Sequence, residues 1–295
     1  MHLPSFLRHT KTNIPAGENE SGMGEIRIGT SGYSYEDWKG LFYPKGMPSS
    51  DFLSYYSNFF DCVEIDSTYY RIPEPSVMDA IARKVPASFR FIVKTPDTFT
   101  HKRTKFLEAL EPFRRATKPM IKKGVLACYL AQFPSSFRFT KENLEHIANI
   151  AGNLDAPVCV EFRARLWQNE EVNEFLREKE IGYVNVDLPS FKTLPAPSSV
   201  ATSEVGFVRL HGRNLAKWWH HKEAHERYDY TYKTQELEQW VPQIRDVQEN
   251  TQVLYIMFNN HWRKQSVDAA NAMKKLLGIE PSHEQKGGAL TDYFS

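Results

Sequence analysis

Cysteine is scarce in this sequence, long apolar runs are missing, and neither sign of charge dominates. The three cysteines, Cys62, Cys128 and Cys159, sit inside apolar runs without CxxC or Cys/His spacing. An odd count with no such pattern excludes a disulfide framework and a thiolate metal site, leaving buried free thiols in a reducing, cytoplasmic setting as the expectation. No stretch approaches the roughly 20 apolar residues of a membrane span, and the first two dozen residues lack the apolar core of a secretory signal. With 37 basic and 36 acidic residues the formal net charge is +1. No global field therefore pulls the chain toward nucleic acid or membrane, and any such preference has to come from local patches. GxSxG, P-loop and GxGxxG patterns do not occur, and Ser31 within Gly29-Thr30-Ser31-Gly32 reads as a turn or anion nest rather than a nucleophile.

What is present is a rhythm. Eight short apolar runs, each ending in polar residues, read as strands: Ile26–Ser31, Cys62–Thr68, Phe89–Thr95, Gly124–Gln132, Val158–Arg163, Tyr183–Asp187, Phe207–His211 and Val253–Asn259. Between them lie amphipathic segments. Ser49 or Ser50 is placed to cap a helix burying Phe52, Leu53, Tyr56, Phe59 and Phe60. Thr140 opens another that Gly152 is placed to end, and Asn169 opens a third. Further helices fit Pro75–Lys84, Phe106–Thr117, Thr234–Val247 and Ser266–Leu277. Two links break the rhythm. Leu188–Glu204 carries three prolines, and the stretch of about 40 residues from His211 to Val253 holds Trp218-Trp219-His220-His221 before its helix. Eight strands alternating with helices over about 250 residues predict a single closed parallel (β/α)8 TIM barrel over 25–279, with tails at 1–24 and 280–295.

In such a barrel, alternate side chains of each strand face inward, and ligand sites lie at the carboxyl ends. Polar residues of matching parity there are Glu64, Asp66 and Thr68, then Lys94, Gln132, Glu161 with Arg163, Asn185 with Asp187, and Arg209 with His211. Asn259 and Asn260 end the last strand. Unpaired buried charges are costly, so this many charged strand ends point to a solvated, ligand-facing mouth.

These stretches also carry a likeness. IGTSGYSYEDWKGLFYP at Ile28–Pro44, VEIDSTYYRIP at Val63–Pro73, KTPDTFTH at Lys94–His101, AQFPSSF at Ala131–Phe137, CVEFRARLW at Cys159–Trp167, FVRLHGRN at Phe207–Asn214 and FNNH at Phe258–His261 resemble, in order, the signatures of the YecE-like family, domain of unknown function seventy-two. The resemblance spans residues 25 to 278. It implies a TIM barrel and no settled activity. Two positions depart from it: Asp66 where asparagine is expected, and His261 where an acid is usual.

Three chemistries compete. In the favoured one, Lys94, Arg163, Arg209 and Arg213 hold a small anionic substrate, a phosphorylated sugar or nucleotide-like molecule, with Tyr33, Gln132, Asn259 and Asn260 completing its contacts. Gly212 would let the ligand approach the backbone. Glu161 or Glu64 would act as general base and His211 as acid or base, with Asp187 beside them, as in a hydrolase or isomerase. This chemistry calls for no cofactor. In the second, Glu161, Asp187 and His211 hold a divalent metal. In the third the chain only binds, with the aromatics of the first loop and Trp218-Trp219 stacking nucleic-acid bases or sugars. The alternative for the aromatics is packing of loops onto the barrel rim, and for Trp218–His221 a solvated loop.

Overall fold

The computed structural model describes residues 22–280, so the two expected tails lie almost wholly outside the described residues. Eight strands close an all-parallel barrel in sequence order: β1 (Glu25–Ser31), β2 (Cys62–Ile65), β3 (Arg90–Lys94), β4 (Leu126–Gln132), β5 (Val158–Glu161), β6 (Gly182–Asp187), β7 (Val205–Leu210) and β8 (Val253–Phe258). The expected strand positions hold, though most strands stop one to three residues early. At the end of β2 the chain turns into a single 3-10 turn at Ser67–Tyr69, and the Thr68 hydroxyl donates to the Lys94 carbonyl at 2.6 Å. Thr68 therefore ties β2 to β3 instead of facing the mouth.

Helices clothe the barrel: α1 (Phe52–Tyr56), α2 (Pro75–Arg83), α3 (Asp97–Thr100), α4 (Phe106–Lys122), α5 (Lys141–Gly152), α6 (Glu170–Glu178), α7 (Thr234–Glu238), α8 (Val241–Glu249) and α9 (Gln265–Leu277). Two caps form as the sequence implies. The Thr140 hydroxyl accepts from the Asn143 amide at 3.2 Å, and the Asn169 side chain accepts from the Val172 amide at 3.0 Å. Elsewhere the structure corrects the sequence reading. Ser49 and Ser50 lie in a 3-10 turn and make no cap, Phe59 is exposed, and Gly152 is the last helical residue rather than a left-handed cap. The helix expected at Thr234–Val247 breaks around Trp240, because Pro242 suits a first turn and cannot donate within a continuous helix. Leu188–Glu204 is irregular, as its prolines require.

Apolar side chains fill two shells. One lies between strands and helices. The other fills the barrel bore with Ile92, Cys128, Leu130, Cys159, Val184, Val186, Phe207 and Met257. All three cysteines are buried and free within the bore. No helix among the described residues is long and apolar enough to cross a membrane. The longest pairings join β8 to its two neighbours, with six residue pairs to β1 and six to β7, whereas β1 and β2 share only two. Gly24, assigned to the tail by the sequence, is buried and donates to the Gln248 carbonyl at 3.2 Å, anchoring the chain's entry to α8.

Candidate functional site

At the carboxyl end of the bore, apolar filling gives way to an ionic cluster centred on Arg209. Its guanidinium donates from Nε to Glu64 Oε2 at 2.9 Å, from Nη2 to Glu64 Oε1 at 2.5 Å, and from Nη1 to Glu161. The Ser31 hydroxyl lies 3.5 Å from Nη2. Arg163 takes the other oxygen of Glu161 through its Nε, and its Nη2 stands 3.3 Å from His211 Nε2. The other imidazole nitrogen, Nδ1, meets the Asn259 amide at 3.0 Å, so the orientation of that amide selects the imidazole tautomer. Glu64, Glu161, Arg209 and His211 are all sealed from solvent. Strand parity explains the convergence, since each side chain sits on the same inward face as the bore residues two positions earlier.

Burial and neighbouring charge set the protonation states. Burial and the flanking guanidiniums of Arg163 and Arg209 push the His211 pKa down to about 3, so the imidazole is neutral. The same guanidiniums hold the Glu161 carboxyl well below its usual range against the cost of burial. Glu64 goes the other way. Burial, reinforced by the neighbouring charge of Asp66 and opposed by Arg209, pushes it up to about 8. Asp66 is held low by Lys94 and Arg209 against the cost of its desolvation. Its Oδ1 lies 3.4 Å from Lys94 Nζ and accepts no hydrogen bond. Lys94 in turn lies over the Tyr69 ring, 4.8 Å from its centre. Lys94, Asp66 and the edge of Arg163 keep partial exposure, and they are the part of the array a solute can reach.

The other expected residues separate. In β6 the inward positions are Val184 and Val186, so Asn185 and Asp187 face the helix layer. Asn185 bonds Ser198 and Val200 of the irregular link. Asp187 accepts from both Arg213 Nε and Nη2, from Tyr232 Oη at 2.6 Å and from Trp240 Nε1 at 3.0 Å. Arg213 is thus drawn away from Arg209, and the two do not share a ligand position. The Gly212 amide donates to Tyr232 Oη at 2.8 Å, and a Cβ there would lie 2.6 Å from the Tyr230 side chain. That glycine, at φ +87°, serves a tight loop rather than a ligand's approach. The Asn260 amide donates to the Tyr230 carbonyl at 2.8 Å, away from the cluster, while Tyr33 packs beside Tyr56 in the aromatic shell of the first loop. Gln132 lies on the inward face at the rim, in register with Glu161. With Asp187 turned outward, Glu161, Asp187 and His211 do not converge, and no group of three metal-type side chains does so among the described residues.

Several participants escaped the sequence reading. Trp218 is buried rather than solvated. Its ring lies 5.7 Å from the Arg163 guanidinium and 5.2 Å from that of Arg227, roofing the cluster, while Trp219 is exposed. Tyr35 donates to the Ser31 carbonyl at 2.7 Å and stacks on His261 at 4.5 Å. Trp38 donates to the His261 carbonyl at 2.8 Å, so the first loop's aromatics pack it onto the rim, the packing alternative that the sequence offers for them. The AQFPSSF and CVEFRARLW segments interlock through stacked rings, Phe137 on Trp167 at 5.0 Å and Phe162 on Trp167 at 4.4 Å, with the indole donating to the Phe137 carbonyl at 2.7 Å. This stack fixes the loop that carries Arg163.

Comparison with known proteins places these motifs. A DUF72 protein of Thermotoga maritima has a crystal structure that covers 86% of this chain and 99% of its own, at 37% identity and a TM-score of 0.79. One from Enterococcus faecalis covers 88% and 99%, at 26% identity and a TM-score of 0.76. The UPF0759 protein YunF of Bacillus subtilis is 29% identical over 274 residues, 87% of this chain and 96% of its own. Residues 27–290 match the family model described as "Protein of unknown function DUF72". With the barrel and the motif-bearing strand ends in hand, that match settles the membership: the chain belongs to the DUF72 family.

Proposed function

We propose that this protein is an enzyme that binds a small anionic substrate, a phosphorylated sugar or nucleotide-like molecule, at the carboxyl-end mouth and acts on it by general acid/base chemistry. The observation that carries the reading is the charge balance at the mouth. With Glu64 protonated and His211 neutral at pH 7, Lys94, Arg163 and Arg209 face only two ionised carboxylates, Asp66 and Glu161. The surplus is one positive charge, and the cations within reach of solvent are Lys94 and Arg163. Beside them, Glu64 and Asp66 form a carboxyl pair whose surroundings push their pKa values apart, the pattern that assigns an acid and a base. Asp66 is the partly exposed carboxylate of the pair and reaches the substrate, and Glu64 behind it holds a proton to pass on. Glu161, Arg209 and His211, sealed and mutually bonded, position this pair and Arg163 rather than touch substrate. The chemistry supports a hydrolase or an isomerase alike.

The test is a panel of sugar phosphates, nucleoside monophosphates, sugar acids and single-stranded DNA, read for thermal stabilisation and turnover. For the substrate found, Asp66→Asn should lower kcat by about 10²–10⁴-fold with binding kept, and Lys94→Ala should weaken binding. Full turnover in both variants would overturn the reading. So would binding confined to single-stranded DNA.

A further inference from the structure

Away from the mouth, on the outer wall of the barrel, α2 and α4 flank an open groove of about 570 Å³. Its α4 wall carries Arg115, Lys118 and Lys122, spaced three and four residues apart and therefore on one helical face. Arg83 stands opposite, at the end of α2. The lining holds one acid, Asp79, which pairs with Arg83. Arg115, Lys118 and Lys122 have no hydrogen-bonding or ionic partner among the described residues.

In a chain of net charge +1, three unpaired cations facing one groove repel each other and collect anions. The walls are braced as well. Lys123 donates to the carbonyls of Ala82 and Val85 at the end of α2, which locks the two helices together. Favourable interaction of cations with a helix carboxyl end accounts for Lys122, in the last turn of α4. It does not account for Arg115, which is two turns further back.

We propose that this groove is a binding site for a chain of linked phosphates. Its size suits a small ligand, and the three α4 positions span seven residues, about 10 Å at helical rise, long enough for successive phosphates. Pro75 and Pro119 contribute apolar lining, but among the described residues no aromatic ring lines the groove to stack a base. Recognition rests on the phosphates alone, so inorganic tripolyphosphate should bind as well as a nucleoside triphosphate.

Titration calorimetry on the full chain with tripolyphosphate tests this, with ATP, orthophosphate and a dT12 oligonucleotide run beside it. The expected result is one site, filled similarly by tripolyphosphate and ATP and at least tenfold more weakly by orthophosphate. Lys118→Ala with Lys122→Ala should weaken it at least tenfold, as should Arg115→Ala with Lys118→Ala. Lys94→Ala at the mouth should leave it unchanged, which separates this site from the proposed active site. All four substituted side chains are at the surface or rim, and a thermal melt checks that each variant folds. Tripolyphosphate binding that survives the α4 substitutions, or is lost with Lys94→Ala, overturns the proposal. So does absence of binding at 0.1 M salt, or tighter binding of dT12 than of tripolyphosphate.

Discussion

Arg209 holds Glu64 and Glu161 together inside a protein interior, and that makes it the side chain whose loss should be felt most. Removing one partner of a buried ionic cluster leaves the others without compensation and typically costs about 3–5 kcal/mol. Arg209→Met should lower unfolding stability by that amount in urea titrations, and adding Glu64→Gln and Glu161→Gln should restore part of the loss. If the single variant is as stable as the parent, the cluster does not hold the bore. The pKa shifts also have signs that can be checked. Glu64 has an ordinary value of 4.5 and is raised to about 8, so the folded state holds its proton more tightly. Its contribution to stability is complete below pH 4.5 and disappears as pH rises through 8. His211 is lowered from 6.5 to about 3, so its contribution is present above 6.5 and is lost as pH falls toward 3. Thermal midpoints measured from pH 5 to 9 should fall on the alkaline side in the parent and flatten in Glu64→Gln. An identical alkaline slope in both would show that another group titrates there.

At the scale of elements, the loop after β7 is held by Asp187 more than by its own backbone. Four donor atoms from three residues, Arg213, Tyr232 and Trp240, converge on that carboxylate. Asp187→Asn should cost about 1.5–3 kcal/mol, the range for bonds to a charged group, and should speed amide hydrogen exchange across residues 211–233. Unchanged exchange there would mean that Trp218 and the rim packing suffice to hold the loop. This element also shows where the sequence stops being legible. Inward parity was readable for Glu161, Arg163, Arg209 and His211 because apolar bore residues precede each in alternation. In β6 both faces are non-charged until the end, so Asn185 and Asp187 were indistinguishable from mouth residues. Their partners, Ser198, Val200, Arg213, Tyr232 and Trp240, are 13 to 53 residues away, and no periodicity announces such contacts. Trp218 was misread for the same reason, since its burial depends on arginines from two other segments. The break at Trp240 was missed although its signal was present, since Pro242 sits inside the periodic run.

For the whole molecule, eight strand-like runs were enough to specify the barrel, but the strength of each seam was not readable. The first strand is held mainly by the last: six residue pairs join β1 to β8, and two join it to β2. A circular permutant that begins at Pro48 and carries β1 after β8 should therefore refold faster from urea than the parent, because its most extensive pairing becomes local. Equal refolding rates would indicate that another step limits folding.

That seam has a further meaning while the chain is being made. About 200 residues separate β1 from the strand that completes it, so at ordinary ribosomal rates β1 waits about 10–40 s for its principal partner. Throughout that interval it presents an open strand edge to the surroundings, the feature by which strands recruit wrong partners. Newborn chains are thus most vulnerable before the eighth strand emerges, and a ribosome-associated chaperone that shields the amino-terminal segment until then would raise the yield of closed barrels.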